Sequence, residues 1–188
     1  MRIAVVTGNP KPASRTHGVA LAVADALAAE LALPAAPAEA PAPSAPVPLV
    51  PAEAPSQLVI DLAEHAPSLF DWSAAELSRL TAEVAAADLA IFASPTYKAT
   101  YTGMLKAFLD RYGNNGLAGV VAVPVMTGGW AGHLLAVEVH LRPVLVELGA
   151  TVPARGLYVT EPEFGNLDAA IAKWAESAVP LIRRALKP

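Results

Sequence analysis

Three short stretches of the chain gather residue types that hold small charged or flat molecules. The first is Thr7-Gly8-Asn9-Pro10-Lys11-Pro12-Ala13-Ser14-Arg15-Thr16. Gly8 permits a sharp exit from a strand. Ser14 and Thr16 supply hydroxyls, Arg15 supplies charge, and the start of a following helix supplies N–H groups without intrahelical partners, a combination that suits a phosphate. A plain helix N-cap is the alternative role for Ser14 or Thr16. The chain has neither G-x-x-x-x-G-K-[ST] nor G-x-G-x-x-G, which argues against a nucleoside triphosphatase and a nicotinamide-binding fold.

The second stretch is Ser94-Pro95-Thr96-Tyr97-Lys98-Ala99-Thr100-Tyr101-Thr102-Gly103, with Met104 to Asp110 following at helical spacing. Two tyrosines among small polar residues can line a flat aromatic ligand whose heteroatoms bond loop backbone. The third is Met126-Thr127-Gly128-Gly129-Trp130-Ala131-Gly132-His133. Its paired glycines let backbone approach a ligand closely. Separately, each stretch could be an ordinary turn; together they describe one site with a phosphate end and a planar end.

Five apolar runs bounded by turn residues must position these loops: Arg2 to Thr7, Gln57 to Leu62, Asp88 to Ala93, Val120 to Met126 and Gly156 to Thr160. Each reads as a strand buried on both faces. Helical spacing fills the intervals. Val19, Val23, Leu27 and Leu31 mark the first helix, and the second runs from Asp71 or Ser73 to Ala87. Met104, Leu105, Phe108 and Leu109 mark the third, Ala131 to Leu148 the fourth, and Leu167 to Leu186 the last. Alternating strands and helices give the α/β class with a doubly wound five-stranded parallel sheet, flavodoxin-like in order 2-1-3-4-5, in which ligands sit at the carboxyl ends of the strands. A barrel would need about 250 residues.

With 188 residues, 54% of them apolar, the chain has material for one domain, 1–188. From Pro34 to Pro55, 8 prolines and 8 alanines form a surface insertion without core-forming periodicity. The absence of cysteine excludes a disulfide framework, thiolate metal site or cysteine nucleophile. His133 and His140 have no nearby third ligand, so no metal is expected. Ser14 lacks the G-x-S-x-G context of a hydrolase. A net charge of −4 without a basic block argues against nucleic acid, and offers no strongly acidic docking face for an electron carrier. The run Leu117 to Met126, broken by Gly119 and Pro124, falls short of the ~20 residues of a membrane span. The strand-like start leaves no room for a signal peptide, so a cytoplasmic protein is expected.

Four local features carry their own expectations. Pro124 cannot donate to a sheet ladder, which predicts an irregularity there. Pro143 deprives the Val139 carbonyl of its helical partner, which predicts a kink or bulge in the fourth helix. Trp72 and Trp174 are expected against the core, and Lys106 with Asp110 as a surface pair.

The three loops resemble those of the NAD(P)H-dependent FMN reductases of the flavodoxin-like superfamily, especially the alkanesulfonate-assimilation type. Gly8, Lys11, Ser14 and Thr16 are similar to that family's G-S-x-R-x-x-S-x-[NST] loop, with Asn9 in place of its first serine and Lys11 in place of its arginine. Pro95, Tyr97, Gly103, Leu105, Lys106, Leu109 and Asp110 resemble its second signature. Thr127-Gly128-Gly129 and His133 to Val137 resemble its third loop and helix. The likeness covers Met1 to about Thr160 apart from the insertion.

The resemblance implies FMN with its phosphate on Asn9, Lys11, Ser14, Arg15 and Thr16. It puts the ring edge on Pro95, Thr96, Tyr97 and Lys98, and the pyrimidine end on Thr127, Gly128 and Gly129. It implies NADPH or NADH as hydride donor and no catalytic acid or base on the protein. Apolar helix surfaces, read from the sequence itself, lead to an expected homodimer or homotetramer. A π-bulge near Val139 would, by the same resemblance, go with dissociable flavin handed to a flavin-dependent monooxygenase. Alternatives are a quinone, azo or chromate reductase with tightly bound FMN, and a flavodoxin-type carrier.

Because loop length enters stability only logarithmically, removing residues 34–55 should leave the rest folded. A deletion variant joined by a short turn is expected to keep its circular dichroism spectrum and to melt within about 10 °C of the parent. Insolubility or a larger drop would show that the segment packs on the core.

Overall fold

The computed structural model describes residues 1–32 and 56–186; the insertion at 34–55 lies outside the described residues. The strands are β1 (Arg2–Thr7), β2 (Ser56–Asp61), β3 (Leu89–Pro95), β4 (Val121–Gly128) and β5 (Leu157–Thr160). Between and after them run α1 (Arg15–Ala32), α2 (Ala75–Ala85), α3 (Gly103–Leu109), α4 (Arg142–Glu147) and α5 (Leu167–Ala185). Every pairing is parallel, and the sheet order is β2-β1-β3-β4-β5. The chain therefore leaves β1 toward β2 on one side and returns past it to β3 on the other, which puts the switch point between the carboxyl ends of β1 and β3.

Side-chain alternation explains why the central strands are apolar throughout. Ile3, Val5, Leu89, Ile91, Val123 and Val125 pack with α1 and α5 on one face, while Ala4, Val6, Ala90, Phe92, Ala122 and Met126 pack with α2, α3 and α4 on the other. With both faces covered, polar groups can gather only at the strand ends. β2 is an edge strand, and Ser56, Gln57 and Val59 are exposed.

The boundaries moved where side chains competed with the ladder. β2 stops at Asp61, because its carboxylate accepts the Ala63 N–H at 3.2 Å and opens the 3-10 turn Leu62–Ser68. α2 begins at Ala75, later than Asp71 or Ser73, since the Asp71 carboxylate takes the N–H and hydroxyl of Ser73 at 2.9 and 2.6 Å and folds a local turn instead. Those two bonds hold the Asp71 carboxyl below its ordinary pKa. That turn also corrects the expectation for Trp72: lying before the helix, it is 67% exposed and carries the Arg111 guanidinium over its ring. Trp174 does pack against the α1/α5 core, and its indole donates to Arg155 O at 2.8 Å. Lys106 and Asp110 form the surface pair, which raises the lysine pKa.

Both prolines leave their marks. Pro124 stays in register with Phe92 of β3, but the opposite side of β4 is interrupted. Ala122 N–H reaches Thr151 O, and pairing resumes only at Val125 with Leu157. Pro124, two residues beyond Ala122 and facing the same way, sits where no ladder donor is required. The fourth helix is not continuous: a 3-10 turn at Ala131–His133 is followed by a π-helical segment at Val137–Leu141, and α4 starts at Arg142. Arg142 N–H bonds Val137 O, five residues back, immediately before Pro143. Glu138 and Arg142 anchor this wide turn, the carboxylate accepting Gly156 N–H and the guanidinium donating to Val152 O at 2.7 Å and Ala154 O at 2.8 Å.

Phe108, fully buried, meets Tyr112 edge to face at 5.9 Å. Phe108→Ala should cost about 3–5 kcal/mol in urea unfolding. The Tyr112 hydroxyl is buried with no hydrogen-bond partner among the described residues, and burial pushes its pKa up. Tyr112→Phe is therefore expected to be neutral or stabilising, and a loss above about 1 kcal/mol would contradict that environment.

Candidate functional site

The three carboxyl-end loops meet around one cavity of about 390 Å³. Its first wall comes from the loop after β1. Gly8 leaves the strand with its N–H on Ala93 O at 2.8 Å and its carbonyl accepting the Thr102 hydroxyl at 2.6 Å. A Cβ at Gly8 would lie 2.9 Å from the backbone Cα of Leu105, so only glycine lets the loop run this close to α3. Thr102 also accepts Leu105 N–H at 3.1 Å and so caps α3, the helix packed against the loop.

The loop then curls over its own side chains. Asn9 accepts the Lys11 N–H at 3.0 Å. Ala13, in the left-handed region at φ 48°, donates its N–H to Asp61 at 2.9 Å. Buried Asp61 thus ties the loop to the end of β2. Ser14 takes the His17 N–H at 3.2 Å and is indeed an N-cap, yet it also lines the cavity. Arg15 and Thr16 follow in the first turn of α1, where backbone N–H groups have no intrahelical partner.

The second wall is Pro95, Thr96 and Tyr97. Thr96 N–H bonds Thr127 O at 2.7 Å, which joins the second loop to the third. Tyr97 and Thr100 exchange backbone bonds around Lys98 (φ 53°) and Ala99 (φ 67°), a two-residue turn with both central residues left-handed. Neither is glycine, so the turn holds strain of order 1–3 kcal/mol per residue, a feature that gathers at functional loops. Tyr97 faces the cavity from this turn, half exposed. Tyr101 packs instead against the core beside α3, where burial raises its phenol pKa.

Thr127, Gly128 and Gly129 close the third side. The Thr127 hydroxyl meets that of Thr16 at 2.7 Å, and Asn9 donates to Thr16 at 3.4 Å, so a buried polar chain links the first and third loops. At Gly128 a side chain would collide with the Tyr158 hydroxyl, which in turn accepts from Thr96.

Of the residues that the resemblance assigned to the flavin, all but Lys98 line this cavity; Lys98 sits exposed at the tip of the strained turn, off the wall, and Tyr101, the second candidate ring-lining tyrosine, is absent from it. Three further residues line it: Ala13, Glu161 and Phe164. The last two lie on the 3-10 turn Glu161–Asn166, fixed by Glu163, whose carboxylate accepts both the N–H and the hydroxyl of Thr160 at 2.7 Å. Glu161 pairs with Arg15 at 2.9 Å, and the Arg15 guanidinium lies 4.8 Å from the Phe164 ring centroid. Nothing local in Glu-Pro-Glu-Phe marks these residues. The available signal was topological, since the loop after β5 opens on the same side of the sheet as the other three.

The fold is that of a flavodoxin-like α/β protein, with this cavity at the switch point. A flavodoxin from Streptococcus pneumoniae superposes at TM-score 0.54 with 18% identity, covering 94% of this chain and 99% of that one. An NADH:FMN oxidoreductase (EMOB, apo form) superposes at TM-score 0.77 with 27% identity, covering 99% and 90%. The family model for NADPH-dependent FMN reductase matches residues 1–163, and the chain belongs to that family. The NADH-dependent FMN reductase SfnF of Pseudomonas putida is 32% identical over 87% of this chain and 80% of its own. The FMN reductase (NADPH) of Escherichia coli (strain K12) is 40% identical, but the match spans only 46% of each chain, about half the length of that relative.

Gly8→Ala forces α3 and the first loop apart and should cost about 1–3 kcal/mol in urea unfolding. An unchanged midpoint would contradict the close approach.

Proposed function

We propose that this chain binds FMN in the three-loop cavity and reduces it with NADPH or NADH. One observation carries the reading: the cavity is chemically divided. The first loop brings Lys11, Arg15, the Ser14 hydroxyl and the first turn of α1 to one wall. The second and third loops bring Pro95, Tyr97 and backbone-rich Thr127 to Gly129 to the others, with the Thr16 and Thr127 hydroxyls meeting at the junction. A dianionic phosphate suits the first wall, and a planar ring the others. Gly129 leaves its wall open, and at Gly128 the space a side chain would need is already taken by Tyr158, so backbone rather than side chain meets the ligand there.

The hydride chemistry, from reduced nicotinamide to flavin N5, is supplied by the bound flavin. The protein's part is placement. The first loop and α1 would hold the phosphate, Tyr97 and Pro95 would bound the ring edge, and backbone N–H groups of the loop after β4 would face the pyrimidine end and stabilise negative charge there. No side chain is needed as acid or base.

We further propose that FMN is a dissociable substrate and that reduced flavin passes to a flavin-dependent monooxygenase, with the chain acting in the cytoplasm as a homodimer or homotetramer. The π-helical segment Val137–Leu141, an interruption expected from Pro143, supports dissociable flavin, because such a segment marks functional places in helices and the resemblance links it to flavin release. The exposed Leu134, Leu135, Val139 and Val146 around it support self-association. Among the described residues no helix is long and apolar enough to cross a membrane.

Protein freed of flavin should oxidise NADPH or NADH in proportion to added FMN, over many equivalents per subunit. FMN should bind at least tenfold more tightly than riboflavin, because charge-assisted bonds to the phosphate are worth about 1.5–3 kcal/mol each. Stoichiometric FMN that survives gel filtration, with no turnover of free flavin, would support the quinone or azo reductase alternative. Flavin binding without nicotinamide oxidation would support a carrier.

A further inference from the structure

A carboxylate stands where the first-loop wall of the cavity approaches the loop after β4. Glu161 Oε1 holds Arg15 Nη1 at 2.9 Å, and its other oxygen looks toward Gly129, 3.7 Å from where a Cβ on that glycine would stand. Glu161 therefore bridges the mouth of the site, from the first turn of α1 to the loop after β4. The Arg15 guanidinium also lies over the Phe164 ring, 4.8 Å from its centroid. Two of the fork's neighbours, an anion and an aromatic face, thus come from the same 3-10 turn after β5.

From this arrangement we infer that Glu161 is a specificity-determining residue that weakens phosphate binding, by competing with the ligand for Arg15 and by placing a second negative charge beside it. The inference rests on the reading of the cavity as an FMN site. Its physical basis is simple. A phosphate that reaches Arg15 must share or displace a formed ion pair, and it then sits near a carboxylate that cannot donate a hydrogen bond. Lys11 is the other cationic side chain of the wall, so the balance of charge there is set by two cations and one anion. Both partners of the pair are more than half exposed, with side chains 67% and 58% accessible, so water and salt screen the effect and keep it moderate. A site tuned in this way binds FMN without retaining it, which fits a flavin that is taken up and released in each cycle.

The test is a fluorescence titration of flavin-free protein with FMN and, separately, with riboflavin. Glu161→Gln keeps the shape and removes the charge. The variant is expected to bind FMN roughly three- to tenfold more tightly than the unaltered protein, with riboflavin affinity changed less than twofold. The gain should shrink as ionic strength rises. In an Arg15→Gln background the same Glu161→Gln change should give a clearly smaller gain in FMN affinity, because only the direct repulsion between carboxylate and phosphate is left to relieve. A preference for FMN over riboflavin that Glu161→Gln leaves unchanged or weakens would overturn the inference, showing that the carboxylate merely orients Arg15. A full gain that persists without Arg15 would overturn the competition. Equal affinities of the unaltered protein for FMN and riboflavin would overturn the phosphate assignment itself, and this inference with it.

Discussion

The Thr102 hydroxyl donates to the Gly8 carbonyl at 2.6 Å while the Gly8 N–H donates to Ala93 O at 2.8 Å, so both backbone groups of one residue are committed to β3 and the segment that follows it. These bonds close only because nothing projects from Gly8 toward Leu105. They hold the loop after β1 beside the loop after β3, across the place where the sheet order turns back. Without that approach, the residues of the first and second loops would line separate surfaces. The same threonine caps α3, so one hydroxyl serves the helix and the loop it packs against.

From this contact the remaining walls follow by short polar links. Thr96 N–H reaches Thr127 O, and the Thr16 and Thr127 hydroxyls meet, so the second and first loops are each tied to the third. Asp61, buried at the end of β2, receives the Ala13 N–H and keeps the left-handed residue in place just before Ser14. Buried polar groups that are fully partnered fix geometry, because each alternative arrangement would leave a donor or acceptor without a partner. The cavity is thus held in shape by the chain itself, and charge enters only at its mouth, through Lys11, Arg15 and Glu161.

Much of this was legible in the residues. Strands buried on both faces announce themselves as apolar runs, which is why β1, β3 and β4 stood out and why their following loops could be grouped. Pro124 and Pro143 each foretold a defect, because a missing N–H is a property of the residue and not of its surroundings. Their outcomes still differed: Pro124 was accommodated by a gap in the neighbouring pairing, Pro143 by a π-helical turn in its own helix. The start of α2 and the exposure of Trp72 were not legible, since both depend on Asp71 choosing a local turn over the helix. Glu161 and Phe164 were missed because they reach the site across the sheet, from a strand-end loop whose local sequence carries no signature. The Pro34–Pro55 insertion was read from composition and lies outside the described residues.

The central claim is that one wall of this cavity answers to phosphate and the others to a planar ring. Amide chemical-shift mapping of the flavin-free protein tests it most directly. FMN should shift the amides of residues 13–16 together with those of 96–97 and 127–129. Riboflavin should shift the latter two groups and leave 13–16 nearly unmoved. Residues 13–16 that ignore FMN, or that respond equally to both ligands, would contradict the division of the site.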